Sequence, residues 1–183
     1  MRIFLFSAAL LLGLAAQALG WQARVKSVHD GDSLSVVNAD GALIHIRLYG
    51  VDAPEAKQPF GYQAKRTLSR LASRRTLDIT PLDTDRYGRT VALVHTPDGN
   101  LANLEMVRSG YAWVYDQYCT RQDICDQLRS AQSEARTAGR GLWADTDPTP
   151  PWEWRKAHKT EEWYAKPVRA LKTIANKIKS VIR

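Results

Sequence analysis

Cysteine, methionine and phenylalanine are scarce in this chain of 183 residues, at two, two and three. The two cysteines, Cys119 and Cys125, have no histidine or further cysteine nearby to complete a metal tetrad, which argues against a zinc site. His29, His45, His95 and His158 stand singly and read as strand or surface residues rather than ligands. Asp30-Gly31-Asp32 lacks the later acids of an EF-hand loop. No internal repeat is present, which removes solenoids and propellers. No array of long apolar runs is present either. The one apolar run, Ile3 to Ala16, falls short of the about 20 residues a spanning helix needs. With Arg2 before it and Ala16-Gln17-Ala18 at its end, it has the layout of a signal peptide over residues 1–20, cut after Ala18 or Gly20. An uncleaved anchor is the alternative, and the lack of a following cysteine argues against a lipid anchor. The expectation is a secreted or periplasmic protein. In such a compartment Cys119 and Cys125 are expected to close a small disulfide loop, two free thiols being the other reading.

Excess charge is missing from most of the chain. The formal net charge is +7, yet residues 21–151 hold sixteen Lys and Arg against sixteen Asp and Glu. The surplus lies in residues 152–183, with nine basic residues against three Glu. Polyanion binding by the body must therefore rest on local clusters. Residues 144–167 read as a strap or linker, rich in Pro, Asp and Thr at first, with Trp152 and Trp154 placed to clip it against the domain. Residues 168–183 put Val168, Leu171, Ile174 and Ile178 on one half of a helical wheel and Arg169, Lys172, Lys177 and Lys179 on the other. That basic amphipathic helix suits an anionic membrane surface, a partner, or its own domain.

Between these ends, apolar alternation predicts strands over Arg24 to His29, Ser33 to Ala39 and Leu43 to Leu48, joined by turns at Asp30-Gly31-Asp32 and Asn38-Ala39-Asp40-Gly41. Helical spacing follows from Pro59 to Arg75, then strands from Thr76 to Leu82 and from Thr90 to Thr96. Further helices are expected from Asn100 through Arg108 and from Ile124 to Ala138. Five strands with a helix set between the third and fourth suit an α+β fold, a small five-stranded OB-type Greek-key barrel with about three helices, over residues 21–143. At the end of the third strand stands Arg47-Leu48-Tyr49-Gly50-Val51-Asp52-Ala53-Pro54-Glu55. Gly50 and Pro54 turn the chain so that two carboxylates return toward the arginine. By itself this is either a surface ion pair at a strand end or a place for a cation and a phosphate together.

The segments Asp30-Gly31-Asp32-Ser33, Arg47 to Glu55, Asp85-Arg86-Tyr87-Gly88-Arg89, Asn103 to Gly110 and Gly141-Leu142-Trp143 occur in that order. Together they resemble the staphylococcal (thermo)nuclease, or micrococcal nuclease, family across Val25 to Trp143. The resemblance implies an OB-type barrel and an endonuclease that cuts DNA and RNA, single strands preferred, to leave 3′-phosphate ends. It implies one Ca²⁺ held by Asp32, Asp52 and the main-chain carbonyl of Ala53. It also implies Glu55 acting on the attacking water, and Arg47 with Arg89 gripping the phosphate. Arg86 and Tyr87 are expected at the substrate, and a monomer is expected. Ser33, Ala53 and Arg86 depart from commoner threonine, threonine and lysine. The cysteine segment and everything after Trp143 lie outside the resemblance.

The chemistry suits these residue types. Two carboxylates and a carbonyl offer the oxygen donors a hard cation prefers and leave positions open for substrate and water. Guanidiniums match phosphate oxygens in a planar, bidentate way that lysine does not. Tyr87, Tyr115 and Tyr118 are either stacking surfaces for bases or core aromatics. The competing class is a binding barrel without catalysis. Asp32, Arg47, Asp52, Glu55 and Arg89 standing together favour the enzyme.

Overall fold

A computed structural model of the chain describes residues 20–158, so the expected leader and the expected basic helix over 168–183 fall outside the described residues. In chain order the strands are β1 (Trp21–Val28), β2 (Ser33–Val37), β3 (Leu43–Leu48), β4 (Val51–Asp52), β5 (Thr76–Thr84), β6 (Thr90–His95) and β7 (Trp113–Val114). The helices are α1 (Gly61–Ala72), α2 (Ala102–Arg108), α3 (Gln122–Thr137) and α4, which covers residues 151–158.

Five strands close a barrel in the order β1-β2-β3-β6-β5, while β4 and β7 pair outside it. Every neighbouring pair in the barrel is antiparallel except β3 with β6, which run parallel with Ile46 opposite Thr90 and Leu48 opposite Ala92. This is the expected Greek-key arrangement of the OB type. Alternation fills its interior, since Leu34, Val36, Ile46, Leu77, Ile79, Ala92 and Val94 have no exposed surface. Ala64, Leu68 and Ala72 recur at helical spacing on α1 and are equally buried against this core.

The element ends moved for local reasons. Helix α1 is shorter than Pro59 to Arg75, because Phe60 and Arg74 both take left-handed backbone and Ser73 is extended. Strand β1 starts three residues early, at Trp21, where it pairs with Ile79 to close the barrel. Strand β5 runs past Leu82 through a register shift between Pro81 and Asp83, a place where a bulge tolerates proline. The largest departure is α4, a helix inside the stretch expected to be a strap, with Pro151 at its first position, where the missing N–H costs nothing.

Three devices hold the Arg47 to Glu55 stretch in place. Asn103 on α2, fully buried, donates to the carbonyls of Tyr49 (2.9 Å) and Ala92 (3.1 Å) and accepts from the Val94 N–H (3.1 Å). The Tyr49 hydroxyl accepts the N–H groups of Thr120 (2.7 Å) and Arg121 (2.8 Å), the two residues that lead into α3. Gly50 makes the turn with φ +73°, and a Cβ there would sit 2.9 Å from Cys119 Sγ. That sulfur belongs to the Cys119–Cys125 disulfide, which the structure forms with an S–S length of 2.03 Å.

Candidate active site

The β1–β2 turn, β3, β4 and the loop after β4 each contribute one charged group to a single cluster. Asp32 ends the turn, where its N–H donates to Asp30 Oδ1 at 3.0 Å. Arg47 is opposite Ser33 on β2 and opposite Val91 on β6, so its backbone is fixed from both sides. Its Nη1 donates to Asp32 Oδ1 (2.6 Å) and its Nη2 to Asp52 Oδ1 (2.7 Å). The second Asp32 oxygen accepts the Ala53 N–H at 2.8 Å. Asp52 has no exposed side-chain surface and that of Asp32 is 4% exposed. The ion pair is therefore buried, not the superficial one a strand end alone would suggest.

Burial pushes the Asp32 carboxyl well above the usual carboxylate range, with Asp30 and Asp52 adding to the effect and Arg47 and the Ala53 amide opposing it. Burial works against the Arg47 charge as well, but Asp32 and Asp52 more than restore it and raise its pKa. Glu55 lies at the rim with 40% of its side chain exposed, able to meet solvent and substrate. Its loop is pressed on the first residue of α1: a Cβ on Gly61 would fall 2.0 Å from the Glu55 carbonyl oxygen, which only glycine permits. Gln58 finishes the loop by accepting the Glu55 N–H at 3.1 Å.

The second expected arginine is held differently. Arg89 directly precedes β6 and pairs with Asp85 of its own loop at 2.7 Å. Among the described residues it makes no hydrogen bond or ion pair to Asp32, Asp52 or Glu55. Arg86 donates to the Tyr87 hydroxyl (2.8 Å), and the Tyr87 ring, 69% exposed, lies 4.9 Å from the Arg86 and 5.5 Å from the Arg89 guanidinium carbon. The fold thus gathers Asp32, Arg47, Asp52, Ala53 and Glu55 and places Arg86, Tyr87 and Arg89 on a separate loop at the start of β6.

One member of the cluster has no counterpart in the expected set. Arg155 on α4 donates to Asp52 Oδ2 (2.7 Å), Asp52 Oδ1 (3.1 Å) and Glu55 Oε1 (2.8 Å). Burial works against its charge, yet the bonds to Asp52 and Glu55 outweigh this and raise its pKa above the ordinary arginine value. The sequence carried a partial signal. Trp152 and Trp154 mark a docking segment, and Arg155 follows Trp152 by three residues, on the same helix face.

Three carboxylates meet two guanidiniums here, so the cluster keeps an excess of negative charge. Its donors are all oxygens, and the charges now bound to them are cationic. Among the described residues no three His, Cys, Asp or Glu side chains are grouped to hold a metal ion. Carboxylate and carbonyl oxygens are nonetheless the donors a hard cation prefers, and Asp32, Asp52 and the Ala53 carbonyl are the groups that would hold one.

A sequence profile described as "Staphylococcal nuclease homologue" matches residues 45–145. The chain belongs to the staphylococcal nuclease family. It is 45% identical over 132 residues to an "Uncharacterized endonuclease" of Escherichia coli O157:H7, covering 72% of this chain and 83% of that one. It is 41% identical over 136 residues to an "Uncharacterized endonuclease" of Haemophilus influenzae, covering 74% of each. A "Micrococcal nuclease" of Shigella flexneri is 35% identical over 147 residues, which is 76% of this chain and 83% of that protein. The matched span stops before α4, so the profile does not reach Arg155.

Proposed function

We propose that the chain is an exported, Ca²⁺-dependent endonuclease that hydrolyses phosphodiester bonds of DNA and RNA, single strands preferred, and leaves 3′-phosphate ends. The observation that carries this reading is the hydrogen-bonded cluster of Asp32, Arg47 and Asp52, to which Glu55 is joined through Arg155. Family membership and the endonuclease and nuclease names of its relatives support the same reaction. The signal-peptide pattern and the Cys119–Cys125 disulfide support export. The basic residues of 168–183 would hold the enzyme at an anionic membrane surface, and the working unit is a monomer.

In this reading Asp32, Asp52 and the Ala53 carbonyl would hold the calcium ion, which when bound would supply positive charge to offset the charge of the phosphate. Arg47 lies beside both carboxylates and donates to a phosphate oxygen. Arg89 exchanges its Asp85 partner for the phosphate and stabilises the charge that builds as water adds. Glu55 accepts the proton of the attacking water. The new O–P bond forms as the bond to the 5′-oxygen breaks, and that oxygen takes up a proton from solvent water. Tyr87 and Tyr115 offer ring faces to neighbouring bases.

The test is cleavage of single-stranded DNA by purified full-length protein in calcium and in excess chelator, with end-group analysis of the products. Calcium-dependent cleavage giving 3′-phosphates is expected. Undiminished cleavage in chelator, or 5′-phosphate products, would refute the assignment.

A further inference from the structure

Asp52 is the most enclosed acid of the cluster, and both of its oxygens are already engaged by arginines. Arg47 takes Oδ1 at 2.7 Å, while Arg155 takes Oδ2 at 2.7 Å and also approaches Oδ1 at 3.1 Å. Arg155 reaches Glu55 with the same Nη1 atom, at 2.8 Å. A divalent ion at Asp52 needs these lone pairs and repels a guanidinium beside it. One of the two arginines must then yield.

The packing decides which. Arg47 sits inside β3, paired on both sides, with 18% of its side chain exposed, and it also neutralises Asp32. Arg155 has 36% of its side chain exposed and rides on α4, outside the barrel. Trp152 and Thr149, the residue before Pro150, anchor α4 to the domain. Trp152 stacks on Tyr115 with ring centroids 5.3 Å apart and planes 8° from parallel, and meets the Trp113 ring edge-on at 5.7 Å. Gln58 Nε2 donates to the Thr149 carbonyl at 2.6 Å. The same Gln58 accepts the Glu55 N–H, so the segment is tied to the loop carrying the proposed base.

We propose that Arg155 is a tethered cation that competes with divalent metal for Asp52 and Glu55, so that residues 149–158 form a latch that is displaced as the site loads. This rests on the calcium-dependent nuclease reading and adds its regulation. The latch covers two features at once. Arg155 occupies the carboxylates, and Trp152 occupies the Tyr115 face to which a base would stack. Metal binding and opening of the stacking face are thereby coupled, and by linkage a strand that displaces Trp152 tightens the metal site.

The test is calorimetric titration of Ca²⁺ alone into the full-length protein, into Arg155→Gln and into Trp152→Ala, together with hydrogen exchange of the wild type with and without calcium. Arg155→Gln is expected to bind calcium about tenfold tighter or more, in line with the loss of charge-assisted bonds to the acids. Trp152→Ala, which loosens the latch without touching a carboxylate, is expected to bind calcium tighter by a smaller factor. Calcium should speed amide exchange across 149–158 in the wild type, a readout that needs no variant to fold. Equal or weaker calcium binding by both variants, or exchange across 149–158 that calcium leaves unchanged, would overturn the latch. If calcium-dependent cleavage persists in that case, the nuclease reading stands without it. Absence of calcium binding in all three proteins would overturn the calcium reading and the competition together.

Discussion

Asp52 is gripped from two sides by regions of different character. On one side is the barrel: Arg47 emerges from a strand paired to two neighbours and joins Asp32 to Asp52 in a buried bridge. On the other is α4, laid over the domain through Trp152 and Gln58, which presents Arg155 to the same carboxylate with more of its side chain in solvent. The distances are alike, but the consequences are not. Removing the barrel arginine strands the buried Asp32 and leaves Asp52 to Arg155 alone, whereas removing the α4 arginine leaves both carboxylates paired to Arg47. Framework and access are thus assigned to separate parts of the chain.

Arg47→Ala breaks the comparison on the barrel side and is expected to have the largest effect. Stranding the buried Asp32 carboxylate costs about 3–5 kcal/mol, readable as a lower urea midpoint, and cleavage should vanish with it. Arg89→Ala comes next. It lies on an accessible loop with Asp85 as its partner, so cleavage should fall about 10²–10³-fold while the urea midpoint stays nearly unchanged. Reduction of Cys119–Cys125, whose cysteines are six residues apart, is expected to cost about 2 kcal/mol by the loop-entropy relation. Thermal melts with and without reductant would measure it. Trp152→Ala probes the α4 side with the smallest effect: loss of its ring pairs should cost about 1–2 kcal/mol, concentrated in faster exchange of residues 151–158. A global collapse on Trp152→Ala would erase the distinction between framework and cover.

What was legible in the sequence follows the same division. The period-two burial of Leu34, Val36, Ile46 and Ile79 was written in the strands, and the barrel followed from it. Asp32, Arg47, Asp52 and Glu55 were legible because turn chemistry and the order of motifs set them at the same barrel end. Strand β7 was not, because two residues paired with Val51 and Asp52 carry no periodicity. Helix α4 was read as part of a strap because eight residues rich in tryptophan and charge lack a clean apolar stripe, and its stability comes from docking on Trp113 and Tyr115. Arg155 was missed for a related reason: a lone arginine among basic residues signals nothing until a buried acid is found beside it. The Arg89 pairing with Asp85 was hidden too, since Asp83 and Asp85 both precede it in the chain and Arg86 competes for them.

The central claim is that Glu55 works chemically on a framework that does not depend on it, and Glu55→Gln tests this most directly. Its side chain is partly exposed, and the substitution keeps its shape while removing the proposed base. Single-turnover cleavage of single-stranded DNA in saturating calcium should slow about 10²–10⁴-fold, with the urea midpoint and calcium binding by the Asp32–Asp52 pair retained. A Glu55→Gln protein that cleaves at the wild-type rate would contradict the account.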